Sequence, residues 1–278
     1  MKQPLTFFSA QLQNTIPVPI LFALIISGGL LACTNKENAS EKQQAEVETI
    51  RHEFAAPIEK AHNMTAWKQK NALKTDIHVT FGGQTAMKGT LIVEAGGPGI
   101  RLEMGDNTVA VFDGQQTWVF PSDSAINPFN VQTWAYFLKA PYKLNDPGTN
   151  IEPKGATQMN GRMYNTAKLT FASSTGDTPD DWYMLYRDQE SNQLHAMAYI
   201  VTAGKTVEEA NKEPHAITYD NVEMMDGIPV STTWNFWGWS EENGFSDQPI
   251  GEASLNNTQF VQKGNLFKKP GGAVPIKK

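Results

Sequence analysis

From residue 47, apolar residues recur at spacings of three and four. Val47, Ile50, Phe54, Ile58 and Ala61 fall on one side of a helix. A bend or break is expected at Pro57, which removes a backbone donor. From residue 75 the period drops to two. In MKGTLIVEA (87–95), Met87, Gly89, Leu91, Val93 and Ala95 share one strand face, and Lys88, Thr90 and Glu94 the other. GGPG at 96–99 turns the chain and IRLEM brings it back. TVAVFDGQQTWVFP reads as two further strands joined at Asp113-Gly114.

The alternation stops near residue 121. Asn127-Pro128 has the chemistry of a helix start, a capping side chain followed by a residue with no donor to lose. Val131, Trp134, Phe137 and Leu138 form the apolar stripe of that helix. Strands resume with MYNTAKLTFA (163–172), WYMLYRD (182–188), LHAMAYIVT (194–202), HAITYDNVEM (215–224) and VSTTWNFWGWS (230–240). The pattern therefore predicts about ten strands and two main helices, a mainly β (α+β) chain. Short links between successive strands imply an antiparallel meander. So large a sheet must curl, and helices must cover one face.

The first 46 residues follow another logic. Ile20 to Ala32 is an apolar run of about 13 residues, long enough for a signal-peptide core and short of the roughly 20 a spanning helix needs. It ends in Leu30-Leu31-Ala32-Cys33, which resembles a bacterial lipobox. In such signals the chain is cut before the cysteine, which then carries acyl chains such as palmitate. Several chains at about 0.8 kcal/mol per buried CH2 give stable membrane anchoring. Residues 34–46 hold no large apolar side chain. They read as a tether with a reach of roughly 40 Å. Thr34 rather than an aspartate after Cys33 points to the outer membrane, facing the periplasm. The reading divides the chain into a leader (1–32), acylated Cys33 with its tether (33–46), one folded domain (47–262) and a disordered tail (263–278).

Composition narrows the function. The net charge is -6, from 23 basic and 29 acidic residues. No basic face is visible, which sets nucleic acid aside as a partner. A single cysteine excludes an intramolecular disulfide and a cysteine-rich zinc site. HEFAA (52–56) lacks the second histidine of a zinc-protease helix, and no nucleophile elbow, phosphate loop or dinucleotide fingerprint is present. Asp180-Asp181 and Glu241-Glu242 are adjacent, so their side chains diverge. The expectation is no enzyme, no metal and no cofactor beyond the lipid on Cys33. His195, by alternation, faces with Met197 and Tyr199 rather than with Leu194 and Ala196.

The stretch GTLIVEAGGPGIRLEMGDNTVAVFDGQQTWVFPSD, with Asp113, Gly114, Trp118 and Pro121 in its second hairpin, resembles the lipoprotein-carrier (LolA/LolB-like) superfamily. APYKLNDPGTNIEP (140–153), DDWYMLYRDQESNQL (180–194) and GIPVSTTWNFWGW resemble uncharacterised bacterial envelope lipoproteins of the same general fold. The resemblance implies a curved antiparallel half-barrel whose concave face is closed by helices and holds acyl chains. On that reading Trp118, Trp134, Phe137, Leu138, Trp182, Met184, Tyr186, Trp234 and Phe236 line a cavity for an acyl chain or other hydrophobic ligand. A non-catalytic envelope scaffold with a filled core is the alternative. Carriers have a basic residue just after the strand that here ends at Val93; this chain has Glu94, Ala95 and glycines.

Overall fold

A computed structural model describes residues 53–124, 126–173, 178–202 and 204–276. Val47, Ile50, Cys33, the leader and the tether lie outside the described residues.

Fourteen strands form one open sheet: β1 (Ala72–Phe81), β2 (Gln84–Glu94), β3 (Ile100–Met104), β4 (Val109–Phe112), β5 (Thr117–Phe120), β6 (Thr149–Met159), β7 (Arg162–Phe171), β8 (Tyr183–Asp188), β9 (Leu194–Tyr199), β10 (His215–Met225), β11 (Ile228–Ser240), β12 (Gly244–Phe245), β13 (Gly251–Val261) and β14 (Val274–Pro275). Two antiparallel meanders, β1–β5 and β6–β11, are stitched together by β13, which pairs with β1 on one side and β11 on the other. The sequence pattern predicted about ten strands. The four it passed over are β6, β12, β13 and β14. β6 and β13 are rich in polar and small residues and show no clean alternation. Backbone pairing, rather than a buried face, holds them.

Residues 53–61 are helical (α1), and the helix runs unbroken through Pro57. The break falls at His62-Asn63 instead, where Asn63 takes a left-handed conformation and caps α2 (Met64–Gln69). Pro57 leaves the Glu53 carbonyl without its helical donor, and the Arg187 guanidinium donates there instead, at 3.4 Å. α3 (Pro128–Lys139) starts as its sequence predicts: the Asn127 side chain accepts from the Phe129 amide, and proline opens the first turn. It must cross the sheet, because β5 and β6 stand near opposite edges. It packs over β2, β3 and β4 and carries Phe137 against Tyr199, Trp234 and Phe236. No helix among the described residues is long and apolar enough to cross a membrane.

The sheet buries apolar side chains on both faces. The main core lies beneath the helices and includes Phe54, Ile58, Trp67, Leu91, Val131, Trp134, Phe137, Leu185, Met197, Trp234 and Phe236. A smaller cluster on the opposite face contains Tyr164, Met184, Tyr186, Ala196, Ala198 and Ala216, with Trp182, Trp237, Trp239 and Phe245 packed against it.

The tail corrects the expectation of disorder. Phe267 is buried against Ala72 and Ile92, and β14 adds to the edge of β5. The Lys263 ammonium pairs with Glu94, and Lys269 sits over the Trp118 ring. Residues 263–276 read as polar and glycine-rich because they contribute little core of their own; they cover apolar surface that the sheet leaves open.

Candidate functional site

The sheet splits between β9 and β10. Their ladder runs from His215 opposite Tyr199 to Thr218 opposite Ala196 and stops there. Beyond it β10 pairs only with β11, while the β8–β9 turn moves away. A cavity of about 200 Å³ fills the wedge between them. Its floor is apolar and aromatic: Trp67, Leu73, Leu138, Tyr142, Tyr219 and Trp234. Its mouth is polar: Arg162, Asp188, Ser191, Gln193, His195, Asp220 and Asn221.

The break between α1 and α2 lies across this wedge. His62 Nε2 accepts the Leu194 amide at 3.1 Å, on the β9 side. The Pro229 carbonyl, on the β11 side, is its other hydrogen-bond partner. The ring is therefore neutral, with Nε2 bare and Nδ1 protonated. Burial lowers its pKa to about 4. Both ends of the helical segment are tied down. Arg187 donates to the Phe54 carbonyl at 3.0 Å. Asn63 donates to the Gly227 carbonyl at 2.9 Å, and Lys70 pairs with Asp226 at 2.7 Å.

The floor is rigid. Trp67 stacks on Tyr142 with ring centroids 4.1 Å apart and donates its indole N–H to the Ala95 carbonyl at 2.7 Å. The Tyr142 hydroxyl donates to the His62 carbonyl at 3.1 Å, and Tyr219 donates to the Phe137 carbonyl at 3.0 Å. Buried tyrosine and tryptophan polar atoms need such partners. These bonds leave the apolar ring surfaces facing the wedge.

At the mouth, Asp188 closes the β8–β9 turn by accepting from the amides of Glu190 and Ser191 and from the Ser191 hydroxyl. Burial works to raise its pKa, but the Ser191 and Glu190 bonds and Arg162 outweigh it and hold it low. His195 stacks on Tyr164 at 5.1 Å, and burial lowers its pKa against the pull of Asp220 and Asp188. Ser191, His195 and Asp188 thus share one cavity, but the Ser191 hydroxyl points to Asp188 at 2.9 Å. Among the described residues no hydrogen bond joins Ser191 to His195; the Ser191 hydroxyl proton is given to Asp188 instead. Among them, too, no group of acidic, histidine or cysteine side chains has the arrangement of a metal site.

The predicted cavity residues separate into three groups and one outlier. Leu138 and Trp234 line the wedge. Trp134, Phe137 and Phe236 lie in the packed main core beside it. Trp182, Met184 and Tyr186 do share a face, as alternation predicts, but it is the face away from the helices. Trp118 lies apart from both, bonded to Asp113 near the sheet edge. A β-bulge overturns the facing of His195. The register shifts between Tyr186 and Arg187, so Leu194 joins Met197 and Tyr199 in the core and His195 turns to Tyr164.

Sequence reasoning missed Trp67, Tyr142, Arg162, Asp188 and Asp220. A signal for some was present. Asp188 lies within the DDWYMLYRDQESNQL stretch and Leu194 closes it, and Pro141 and Tyr142 lie at the start of the one that follows α3. Both stretches meet at this wedge.

No family model matches the chain, and no curated protein matches its sequence. Solved structures do resemble it. A LolA superfamily protein from Nitrosomonas europaea has a TM-score of 0.51 at 11% identity, over 77% of this chain and 96% of that one. A DUF1329 family protein from Desulfovibrio piger has a TM-score of 0.48 at 10% identity, over 77% and 96%. A Vibrio parahaemolyticus domain described as an outer membrane lipoprotein-sorting protein has a TM-score of 0.48 at 11% identity, over 81% and 97%. Likeness at this identity speaks to architecture alone, and the first of these carries it: the open antiparallel sheet with its crossing helix is a LolA-like fold.

Proposed function

We propose that this chain is a lipid-anchored protein of the bacterial envelope that takes the apolar end of an amphiphilic ligand into the wedge between β9 and β10. The observation that supports this most is the polarity gradient of the cavity. Rings and aliphatic side chains form its floor, and charged and amide groups form its mouth. An acyl chain would enter head outward, driven by roughly 25 cal/mol per Å² of apolar surface removed from water. The volume of about 200 Å³ is smaller than the roughly 300–1,000 Å³ of most small-molecule sites. One chain end fits this shape. A longer chain requires the α1–α2 segment to move off the sheet.

Anchoring rests on the sequence: Cys33 follows a lipobox-like stretch and precedes a polar tether. The LolA-like fold is in keeping with an envelope location, and the outer membrane facing the periplasm is the reading of Thr34. We read the protein as a binder without a catalytic step.

A second reading has its own observation. Trp134, Phe137 and Phe236 fill the space where a carrier-type hollow was expected. A filled interior suits an envelope scaffold whose partner docks on its surface. Native mass spectrometry of protein extracted from membranes, before and after delipidation, separates the two. Binding predicts a non-covalent single-chain adduct that delipidation removes and added amphiphile restores. Protein that takes up no single-chain amphiphile of any length supports the scaffold.

A further inference from the structure

The mouth of the wedge carries an uneven set of charges. Arg162 is the one cation among its lining residues, and its charge already acts on Asp188. Asp188 and Asp220 are its two anions. The two histidines of the cavity, His62 and His195, are both shifted toward their neutral form by burial.

Both carboxylates are fixed in place by one oxygen and free at the other. Asp188 Oδ1 accepts from Ser191 N at 2.7 Å, Ser191 Oγ at 2.9 Å and Glu190 N at 3.1 Å. Asp220 Oδ2 accepts from Thr218 Oγ1 at 2.8 Å and Asn235 Nδ2 at 2.9 Å. No hydrogen bond among the described residues reaches Asp188 Oδ2 or Asp220 Oδ1. These acceptors are held in place at the mouth; Asp188 is buried and Asp220 half-buried, so solvent screens the first less than the second. A carboxylate or phosphate head alone would gain from Arg162 and lose to two negative charges. An ammonium gains from both.

We propose that the wedge selects amphiphiles whose head carries an ammonium group, with Asp188 and Asp220 as its receptors and Arg162 as the receptor for an anionic group on the same head. This rests on the amphiphile reading of the cavity and adds the class of ligand. A zwitterionic head with phosphate and amine satisfies all three charges; a fatty acid satisfies one.

The test uses three single-chain probes with the same chain, each below its micelle concentration: a primary fatty amine, a fatty acid and a lysophosphatidylethanolamine. Tryptophan fluorescence reports binding to the full folded domain. The amine and the zwitterion are expected to bind at least about tenfold more tightly than the acid. Asp220→Asn should shrink that ratio. Arg162→Gln should weaken the zwitterion and leave the amine bound at least as tightly, because the substitution removes a cation that competes for Asp188; an amine that weakens as much as the zwitterion counts against separate receptors. Acid binding as tight as the amine overturns head selection while leaving the apolar wedge standing. No binding by any probe removes the amphiphile reading itself, and this inference with it.

Discussion

His62 Nε2 accepts the backbone amide of Leu194 at 3.1 Å, joining the end of α1 to a strand 132 residues further along the chain. With the Pro229 bond on its far side, this ring bridges the two banks of the split sheet. Removing it leaves a buried amide without an acceptor and enlarges the cavity. His62→Ala should therefore cost about 2–4 kcal/mol, read from the urea midpoint. A loss under about 0.5 kcal/mol would show that the bridge carries no weight.

The same ring sets a pH dependence. In the unfolded chain His62 takes up a proton near pH 6.5; in the fold it resists until about pH 4. Its contribution is complete above pH 6.5, declines as the pH falls toward 4, and is flat below that. The full extent is about 3 kcal/mol. His195 and His215 are shifted the same way by burial, so the isolating measurement is a difference. Stability curves of wild type and His62→Gln should converge between pH 6.5 and 4. Parallel curves would contradict the assignment.

Lys139 gives a slope of the same sign in a higher pH window. Its ammonium is buried at the end of α3 and donates to the Gly97 carbonyl at 2.6 Å. Burial lowers its pKa to about 8. Above that value the folded protein has shed a proton that the unfolded chain keeps until about pH 10.4, so stability rises with pH across this range. Lys139→Met keeps the apolar stem and removes the charge. It should abolish that rise and leave stability at neutral pH unchanged or higher.

The C-terminal segment should behave as part of the fold. Phe267→Ala empties the contact with Ala72 and Ile92 and should cost about 3 kcal/mol in thermal or urea unfolding. A silent substitution, or rapid proteolytic trimming to residue 262 with no loss of stability, would restore the picture of a free tail.

Cys33→Ser should leave unfolding of the domain unchanged and abolish palmitate labelling in cells. Labelling that persists would refute the lipobox reading.

The sequence made the alternating strands legible where one face meets the core. The faces of β2 and β11 fall as their period predicts, with Leu91 and Val93, and Trp234 and Phe236, beneath the helices. The start of α3 was equally plain, because Asn127-Pro128 encodes it locally. What stayed hidden was non-local. Polar β6 and β13 are held by their neighbours' backbones. The bulge at His195 reverses a face without changing composition. The wedge exists because one ladder ends four residues into β10, and its lining comes from helices, strands and turns far apart in the chain. Aromatic stripes marked both faces of the sheet alike, so Trp182 and Trp234 could not be told apart by sequence.

The central claim is that a single apolar chain end lies against the floor of the wedge. Trp67 and Trp234 line that floor, whereas Trp182, Trp237 and Trp239 lie with the aromatic cluster on the opposite face. A single-chain amphiphile brominated at its terminal carbon should quench wild-type fluorescence in a saturable way. That quenching should largely vanish in the Trp67→Phe/Trp234→Phe variant, once circular dichroism shows it folded. Quenching that persists in the variant, or none in the wild type, would contradict the account.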